Sequence, residues 1–412
     1  MSVNARIALL LPSLVAGGVG RSLLHLADEF IRRGHDVDLV LCRHEGAYAN
    51  AVPDGVRIVT LAPHSPLAVR WQLARLYPQA LSILARPVLL TRKPAPVQRY
   101  LPDLVRYLVT TRPDALLAAK THTNLLAIWA KQLAKVPTRV IVSERTQLSI
   151  TIANTPKWRW RHVAPLLAHS YPYADRIVAV SNGVADDLAE TTGLMRSSIQ
   201  TIYNPTVTPQ ITELAREAPA HPWFAETESV PIIVAAGRLV AQKNFALLLR
   251  AFALLRAQQS ARLVILGEGE ERTSLEALSR SLGIVDDVSL PGFVDNPYAY
   301  FARASLFVLS SNYEGFGNVL AEAMACGCPV VATDCPSGPE EILGNGQYGH
   351  LTPVNDTDAL AKAMVTTLAA PLPAARLIQR ASEFGRERSA SAFLEILLPD
   401  RPSIHVAHGM TQ

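Results

Sequence analysis

Apolar and polar residues alternate in blocks, not singly, along most of this chain. In the first half, six runs of five to seven mainly apolar residues are separated by longer amphipathic segments such as 21–33. Runs of this length predict buried strands, and the segments between them predict helices. The predicted strands are 7–12, 37–42, 56–62, 115–119, 139–144 and 176–181. Apolar strands joined by helices are typical of parallel sheets, so the pattern predicts a doubly wound α/β domain.

The same alternation starts again after a polar, proline-rich stretch, 206–229, which we interpret as a linker between domains. The strands predicted beyond it are 231–237, 262–267, 288–294, 304–309 and 330–332. A chain of 412 residues is also longer than one typical hydrophobic core supports. The sequence therefore predicts two Rossmann-like domains, 1–205 and 206–385, that face each other across a cleft. A C-terminal helix and tail, 386–412, follow them.

Composition and charge narrow the class of protein. Apolar residues make up 49% of the chain and charged residues 18%, as in globular α/β proteins. No apolar run of about 18 residues predicts a membrane-spanning helix. The first twenty residues resemble a signal peptide, but the glycine turn and helical pattern after them favour a buried strand. The spacing of the cysteines favours small buried thiols over a zinc site. They are Cys42, Cys326, Cys328 and Cys335.

One stretch of the second domain, 310–343, combines carboxylates with a glycine turn. Glu314 follows a predicted strand, and glycines at 315 and 317 let the backbone turn before a helix, 318–325, that carries Glu322. A helix N-terminus suits a phosphate, and carboxylates suit sugar hydroxyls. Arg238 and Lys243 follow another strand of this domain, where two cations can hold a diphosphate. Together these residues predict a nucleotide-sugar site.

The strand ends of the first domain also carry polar groups or glycines. Gly17 and Gly18 follow the first strand, where they form either a backbone cradle for a phosphate or sugar, or an ordinary tight turn. They do not form G-x-G-x-x-G, and no acidic residue closes the second strand, which disfavours a nicotinamide cofactor. His122 follows the fourth predicted strand and is either a substrate ligand or a surface residue. Glu144 and Arg145 close the fifth strand, and they either contact substrate or pair with each other.

Between residues 70 and 112 the alternation lapses, and basic residues are mixed with aliphatic and aromatic ones. The bases there are Arg70, Arg75, Arg86, Arg92, Lys93, Arg99, Arg106 and Arg112, against a single acid, Asp103. Lys157–Arg161 repeats the mixture. This composition favours an anionic membrane surface as partner. Nucleic acid is disfavoured because no recognition motif accompanies the charge, and a solvated face of ordinary helices is the remaining alternative.

The motifs of the second half resemble the retaining glycosyltransferases of family four, which have the GT-B architecture. The most specific is Glu314-x7-Glu322 within EGFGNVLAEAMACGCPVVAT, followed by PSGPEEIL. IYNP, GRLVAQKN, GEGEE and LPGFV occur in the order of the family. The first half resembles the family more loosely, through GGVG and VSERTQLS. The PSGPEEIL version is similar to members that add an N-acetylhexosamine or related hexose to lipid-linked glycans.

The resemblance implies a role for each candidate residue. Arg238 and Lys243 would stabilise the leaving diphosphate, Glu314 would hold hydroxyls of the donor sugar, and His122 would lie near the reacting sugar. Glu322 would accept hydrogen bonds from ribose, and the loop of Phe293 would meet the base. The residues implied to contact the donor are Gly17, Gly18, Gly237, Phe293, Phe316, Gly317, Asn318 and Glu322. The candidates for contact with the acceptor are Lys120, Glu144 and Arg145.

The same resemblance implies front-face transfer with retention of configuration, in which the donor phosphate takes the proton of the acceptor. No Asp-x-Asp follows a strand at the site, so we expect no catalytic metal and no cofactor beyond the nucleotide-sugar substrate. The last helix would return to the first domain, and residues from 403 on would form a tail. The prediction is a cytosolic glycosyltransferase, held at the inner face of a membrane, with a lipid-linked or polysaccharide acceptor. A nucleotide-sugar 2-epimerase and a non-catalytic binding protein of the same fold are the alternatives.

Overall fold

The computed structural model describes residues 4–15, 17–91, 95–225 and 230–399. These residues form two compact units. One unit contains the described residues up to Pro205 and those from Arg386 onward, and the other contains Thr206–Gly385. Each unit is built on its own parallel sheet. The prediction of two doubly wound α/β domains is therefore confirmed.

The first unit has a seven-stranded sheet in the order β3-β2-β1-β4-β5-β6-β7. Its strands are β1 (Arg6–Leu11), β2 (Asp36–Leu41), β3 (Arg57–Thr60), β4 (Ala115–Ala119), β5 (Arg139–Glu144), β6 (Arg176–Ala179) and β7 (Ile199–Thr201). Its helices are α1 (Gly18–Arg32), α2 (Pro66–Leu76), α3 (Leu81–Leu84), α4 (Leu101–Thr111), α5 (Thr121–Ala134), α6 (Leu148–Asn154), α7 (Val163–Ser170) and α8 (Asn182–Thr192). Further single turns include Ala85–Leu89 and Trp158–His162.

The second unit has a six-stranded sheet in the order β10-β9-β8-β11-β12-β13. Its strands are β8 (Ile232–Ala236), β9 (Arg262–Leu266), β10 (Val288–Gly292), β11 (Leu306–Leu309), β12 (Val330–Thr333) and β13 (His350–Thr352). Its helices are α9 (Pro209–Leu214), α10 (Phe245–Arg256), α11 (Arg272–Ser281), α12 (Tyr298–Phe301), α13 (Asn318–Ala325), α14 (Pro339–Leu343), α15 (Thr357–Ala369) and α16 (Ala374–Ser382). One more helix, α17 (Arg386–Leu397), belongs to the first unit.

Each predicted strand overlaps an observed strand, and the apolar runs of the central strands are buried on both faces of a sheet. The sequence pattern missed two edge strands, β7 and β13. Each has only three residues, and at least one is polar. An edge strand pairs along one side only, so it needs no long apolar run.

The interpretation of 206–229 as a linker is wrong for its described part, 206–225. Thr206 donates its backbone N–H to Phe384 O at 3.1 Å, and Asn296 Nδ2 donates to Leu214 O at 2.9 Å. Residues 209–214 form α9, which starts with a proline where the helix needs no N–H donor. The prolines here start helical turns packed on the second unit. Residues 226–229 lie outside the described residues.

Helix α17 is fixed to the first unit by polar and apolar contacts. The Arg386 guanidinium is buried, bonds to the Asp28 carboxylate, and lies 3.2 Å from Glu29 Oε2; both acids are on α1. Phe393 and Ile396 belong to the same core cluster as the central strands of the first sheet. Residues 400–412, which include the predicted tail, lie outside the described residues.

Candidate active site

Two loops of the second unit meet at the carboxyl ends of β8 and β11. The two strands are neighbours, with Leu306 opposite Ile233. The hydrogen bonds that join their loops include Asn312 N to Gln242 O at 2.8 Å, Gln242 Nε2 to Tyr313 O at 3.0 Å, and Ser310 Oγ to Lys243 O at 2.9 Å. The sheet order therefore brings the sequence 238–244 beside 310–317.

Lys243 and Glu314 form an ion pair at this meeting point. Lys243 Nζ lies 2.5 Å from Glu314 Oε1, which also accepts a hydrogen bond of 2.7 Å from Ser311 Oγ. Both side chains are largely shielded from solvent. A Cβ on Gly237 would lie 3.2 Å from Lys243 Cε, so the glycine makes room for the lysine stem. Glu314 is thus charge-compensated, and its Oε2 accepts no hydrogen bond from the described residues.

Arg238 differs from Lys243 in having no partner. Its side chain is exposed, and among the described residues the structure shows no hydrogen bond or ion pair for the guanidinium. The next residue, Leu239, is fully buried and donates its N–H to Glu268 O at 2.9 Å. The backbone is therefore fixed while the guanidinium can meet an anion.

The backbone before α13 is held from both sides. Gly317 has φ +95°, a left-handed conformation that favours glycine, and the helix starts at Asn318. Phe316 is buried against the Phe384 ring at a centroid distance of 5.3 Å. A Cβ on Gly338 would lie 1.9 Å from Phe316 O, so only glycine fits there. Residues 316–318 therefore have a fixed main chain at a helix N-terminus.

Glu322 lies one turn into α13 and is buried. Phe293 follows β10 and is 70% exposed. The strand ends beside it are close-packed main chain, because a Cβ on Gly267 would lie 2.0 Å from Gly237 O and Gly267 N bonds to Gly292 O at 2.8 Å. Three glycines thus leave main-chain groups as the lining of three adjacent strand ends.

In the first unit, the predicted residues at the ends of β4 and β5 are neighbours. Ala119 pairs with Ser143, and Lys120 N donates to Ser143 O at 3.2 Å. The side chains that follow, from 120 to 122 and from 144 to 145, therefore share one edge of the sheet. Gly17 and Gly18 begin α1 in the same unit and are exposed.

Glu144 is fully buried in a hydrogen-bond network. It accepts hydrogen bonds from Thr121 Oγ1 at 3.0 Å, Asn124 Nδ2 at 3.1 Å and the Tyr171 hydroxyl. Burial raises the pKa of Glu144 to about 7, although these hydrogen bonds oppose the rise. No ion pair with Arg145 forms, so the alternative in which the two residues pair with each other is wrong.

Arg145 is buried and only partly satisfied. Its Nη1 donates to Asn204 Oδ1 at 2.7 Å, whereas Nε and Nη2 have no partner among the described residues. Burial lowers the pKa of Arg145 to about 10, which leaves it charged at neutral pH.

His122 packs on the Trp160 ring at a centroid distance of 4.7 Å. Burial, with the nearby charges of Arg159 and Lys157, lowers the pKa of His122 to about 4. The imidazole is therefore neutral at pH 7, and its shielded Nε2 has no partner in the described part of the chain.

Sequence reasoning missed several supporting residues. Ser311 binds Glu314, Asn204 orients Arg145, and Tyr171 binds Glu144. Asn204 lies in the IYNP motif, and that motif could have identified it as a supporting residue. Tyr171 is 27 residues from its partner and has no local signature.

The two basic and aromatic stretches lie side by side in the first unit, since the turn 85–89 packs against 158–162. Leu67, Trp71 and Arg75 are exposed and lie four residues apart along α2, so they share one helix face. Trp71 is 64% exposed, and the Arg75 guanidinium lies 5.2 Å from its ring centroid. Arg92 and Lys93 lie outside the described residues.

Three cations of this region bind other groups of the first unit. Arg70 bonds to Thr91 O, Arg106 to Asp103 and Arg99 to His64 O. No described helix is long and apolar enough to cross a membrane. The described residues also contain no group of three or more His, Cys, Asp or Glu side chains that could hold a metal ion.

Two sequence models match the chain. Residues 16–208 match Glycosyltransferase Family 4, and residues 221–384 match Glycosyl transferases group 1. A curated relative from Campylobacter jejuni is 34% identical over 247 residues, which are 60% of this chain and 64% of the relative. It is N-acetylgalactosamine-N,N'-diacetylbacillosaminyl-diphospho-undecaprenol 4-alpha-N-acetylgalactosaminyltransferase. The lipopolysaccharide core biosynthesis glycosyltransferase LpsE of Rhizobium meliloti is 32% identical over 54% of this chain and 64% of its own length. The chain thus spans slightly under two thirds of these relatives.

Solved structures share the fold over nearly the whole chain. A glycosyltransferase from Rickettsia africae matches with a TM-score of 0.75 and 16% identity, covering 96% of this chain and 98% of that one. The Anabaena protein HepE in complex with UDP-glucose matches with a TM-score of 0.71 and 19% identity, covering 96% and 99%. At these identities the likeness concerns the fold alone.

Proposed function

Because the chain belongs to the family 4, group 1 glycosyltransferases, we propose that it transfers a hexose with retention of configuration from a nucleoside-diphosphate sugar to a glycan acceptor. The proposed acceptor is a lipid-linked glycan or a polysaccharide. The transferred sugar is a hexose, and an N-acetylhexosamine is one candidate. The Campylobacter relative, named for transfer to a diphospho-undecaprenol-linked sugar, supports the lipid-linked acceptor. The UDP-glucose complex of HepE supports a nucleotide-sugar donor.

The observation that carries this proposal is the Lys243–Glu314 ion pair with the exposed Arg238 five residues before Lys243. In the proposed donor complex, Arg238 and Lys243 bind the diphosphate and stabilise the charge that develops as the glycosidic bond breaks. Glu314 offers its second oxygen to donor hydroxyls, and Glu322 accepts hydrogen bonds from ribose. The fixed backbone at 316–318 lies against the sugar and phosphate.

The proposed transfer needs no acid and base pair from the protein. The bond from the anomeric carbon to the donor phosphate oxygen breaks, and the acceptor oxygen bonds to that carbon on the same face. The acceptor proton passes to the leaving phosphate. A His122 with a pKa near 4 is a poor base at pH 7, so we assign it a hydrogen bond to a sugar hydroxyl. The nucleotide-sugar is a substrate, and no metal is required.

Main-chain groups are proposed to read the base and the diphosphate. Gly237 follows β8 and the loop of Phe293 follows β10, on either side of β9, where glycines let the main chains approach closely. In the first unit we assign Gly17 and Gly18, at the start of α1, to the donor diphosphate. Lys120, Glu144 and Arg145 are assigned to the acceptor.

The exposed face of α2 and the turns 85–89 and 158–162 are proposed to bind an anionic membrane. Aromatic, aliphatic and basic side chains share this surface, as in helices that lie in a bilayer interface. A lipid-linked acceptor would be presented from that surface.

The first experiment is a thermal-shift screen of nucleotide-sugars, in which a ligand at about 100 times its dissociation constant adds about 2.7 kcal/mol of stability. With the best donor, we expect Arg238→Ala, Lys243→Ala and Glu322→Ala each to lower turnover more than about tenfold, roughly 1.4 kcal/mol. Arg238 is exposed, so its variant should fold normally.

Lys362→Ala, an exposed lysine on α15, is the matched control and should keep full turnover. Near wild-type turnover in Arg238→Ala and Lys243→Ala would refute the site assignment.

A further inference from the structure

Arg145 presents an unused binding edge in the interior of the first unit. The guanidinium is planar, and its Nε–H and Nη2–H point to the same side. The opposite nitrogen, Nη1, is held by Asn204 at 2.7 Å, while both atoms of the other side lack a partner among the described residues. We propose that this edge binds an oxyanion of the acceptor through two parallel hydrogen bonds. The proposal deepens the proposed glycosyltransfer and rests on it.

The charge of Glu144 acts on Arg145, but the two side chains form no ion pair. Both carboxylate oxygens of Glu144 are taken by Thr121, Asn124 and Tyr171, and no carboxylate of the described residues forms an ion pair with Arg145. Burying an unpaired guanidinium costs several kcal/mol in general, so a purely structural role would favour a neutral side chain at this position. The cost is explained if a substrate supplies the negative charge.

Glu144 adjoins this edge, but the other neighbouring groups contribute positive potential. Lys157 and Arg159 lie close enough to His122 to oppose its protonation, and His122 shares the strand-end edge with Arg145. The N-terminus of the 14-residue helix α5 begins at the same edge and adds positive potential. Each of these contributions favours an anion over a neutral sugar.

The geometry also selects the chemistry of the anion. Two parallel N–H groups match two oxygens on one phosphorus or one carboxyl carbon, and a single hydroxyl satisfies only one of them. A lipid diphosphate supplies such oxygens, and so does a uronic acid of a glycan. Both atoms are shielded in the unliganded structure, so the anion displaces a neighbouring side chain on entry.

The test measures anion binding while the donor site is occupied. The full chain is saturated with the nucleoside diphosphate that stabilises it best, and three probes are titrated by calorimetry: inorganic pyrophosphate, methyl glucuronide and neutral methyl glucoside. We expect wild type to bind at least one anionic probe at least tenfold more tightly than Arg145→Lys does. Lysine keeps the positive charge but lacks the two parallel N–H donors of the guanidinium. This variant therefore separates the effect of hydrogen-bond geometry from the effect of charge.

Arg176→Lys is the matched control, because Arg176 is the first residue of β6 and lies at the amino end of that strand. This variant should bind the probes as wild type does. Asn204→Ala removes the hydrogen bond that orients Arg145, and we expect this variant to bind the same anionic probe more weakly than wild type does. A preference for pyrophosphate assigns the edge to a lipid diphosphate, and a preference for methyl glucuronide assigns it to a glycan carboxylate.

Equal affinity for every probe in wild type and in both site variants overturns the inference. Loss of nucleoside diphosphate binding in Arg145→Lys also overturns it, because Arg145 would then serve the donor. Neither result bears on the Arg238 and Lys243 variants, so failure of this inference is distinct from failure of the proposed glycosyltransfer.

Discussion

Glu144 and Glu314 each follow a parallel strand, yet their surroundings give them different chemistry. Lys243 forms an ion pair with Glu314 at 2.5 Å, and we propose that the second oxygen of that carboxylate meets donor hydroxyls. Glu144 has only neutral hydrogen-bond donors and no ion pair, and burial raises its pKa to about 7. The same residue type is therefore paired with a lysine in one unit and surrounded by neutral hydrogen-bond donors in the other.

The raised pKa of Glu144 predicts a pH-dependent cost in stability. Between its ordinary value of 4.5 and its folded value of about 7, the folded state binds more protons than the unfolded state. Its contribution to the free energy of unfolding is therefore largest below pH 4.5, falls as the pH rises through 7, and is constant above. We expect wild type to lose about 2 kcal/mol relative to Glu144→Gln between pH 5 and pH 8, measured by urea unfolding.

Taking the difference from Glu144→Gln removes the contributions of all other titrating groups. Glu387→Gln, which is exposed on α17, is the control and should show no such trend. A pH-independent difference between wild type and Glu144→Gln would mean that Glu144 is charged throughout this range.

The residues of the proposed donor site lie close together in the chain, so the sequence alone could group them. Glu314 and Glu322 share one loop and helix, and Arg238 and Lys243 follow one strand. The state of Arg145 could not be predicted in this way. It depends on Asn204, 59 residues away, and on a tyrosine that occupies the neighbouring carboxylate. Distant partners of this kind leave no local pattern.

At the scale of elements, burial on both faces made the central strands predictable, whereas β7 and β13 left too short a signal. The described part of the predicted linker shows a second limit. A run of prolines and polar residues predicts a loop, but the segment forms α9 and packs on the second unit. Local composition cannot report such tertiary contacts.

The contact between α17 and α1 makes a prediction at this scale. Arg386 is buried between Asp28 and Glu29, so Arg386→Met removes one cation from each carboxylate, while the pairs of Asp28 with Arg32 and of Glu29 with Arg33 remain. Breaking a buried ion pair from one side typically costs about 3–5 kcal/mol; each carboxylate keeps a second cation and Asp28 is partly solvated, so we expect about 2 kcal/mol. Urea unfolding of the full chain measures the loss.

Arg388→Met on the same helix changes an exposed arginine and should alter stability by less than about 0.5 kcal/mol. A cost below 1 kcal/mol in Arg386→Met would show that the ion pairs of Arg386 are not needed to hold α17.

At the scale of the whole molecule, the net charge of +4 is too small to direct the protein to a membrane. The proposed membrane surface therefore depends on local side chains. Trp71 and Leu90 are 64% and 74% exposed, so Trp71→Ser with Leu90→Ser removes apolar area without opening the core. We expect the double variant to bind anionic phosphatidylglycerol vesicles at least about tenfold more weakly, because burying one such side chain is worth about 1.5–3 kcal/mol.

Met195→Ser is the matched control, since Met195 is 74% exposed in the same unit but outside this surface. Co-sedimentation at low salt measures binding, and added salt should weaken it through screening. Equal co-sedimentation of the double variant and wild type would exclude this surface as the membrane contact.

The return of α17 has a consequence for synthesis on the ribosome. The first sheet is complete at β7, but its core also includes Phe393 and Ile396, which are translated only after the whole of Thr206–Gly385. At about 5–20 residues per second this interval is about 10–40 s. During that time the apolar groove under α17 is uncovered on the nascent chain. A chaperone that binds apolar surface would therefore find its target in the first-made half of the protein, until the helix that covers it emerges.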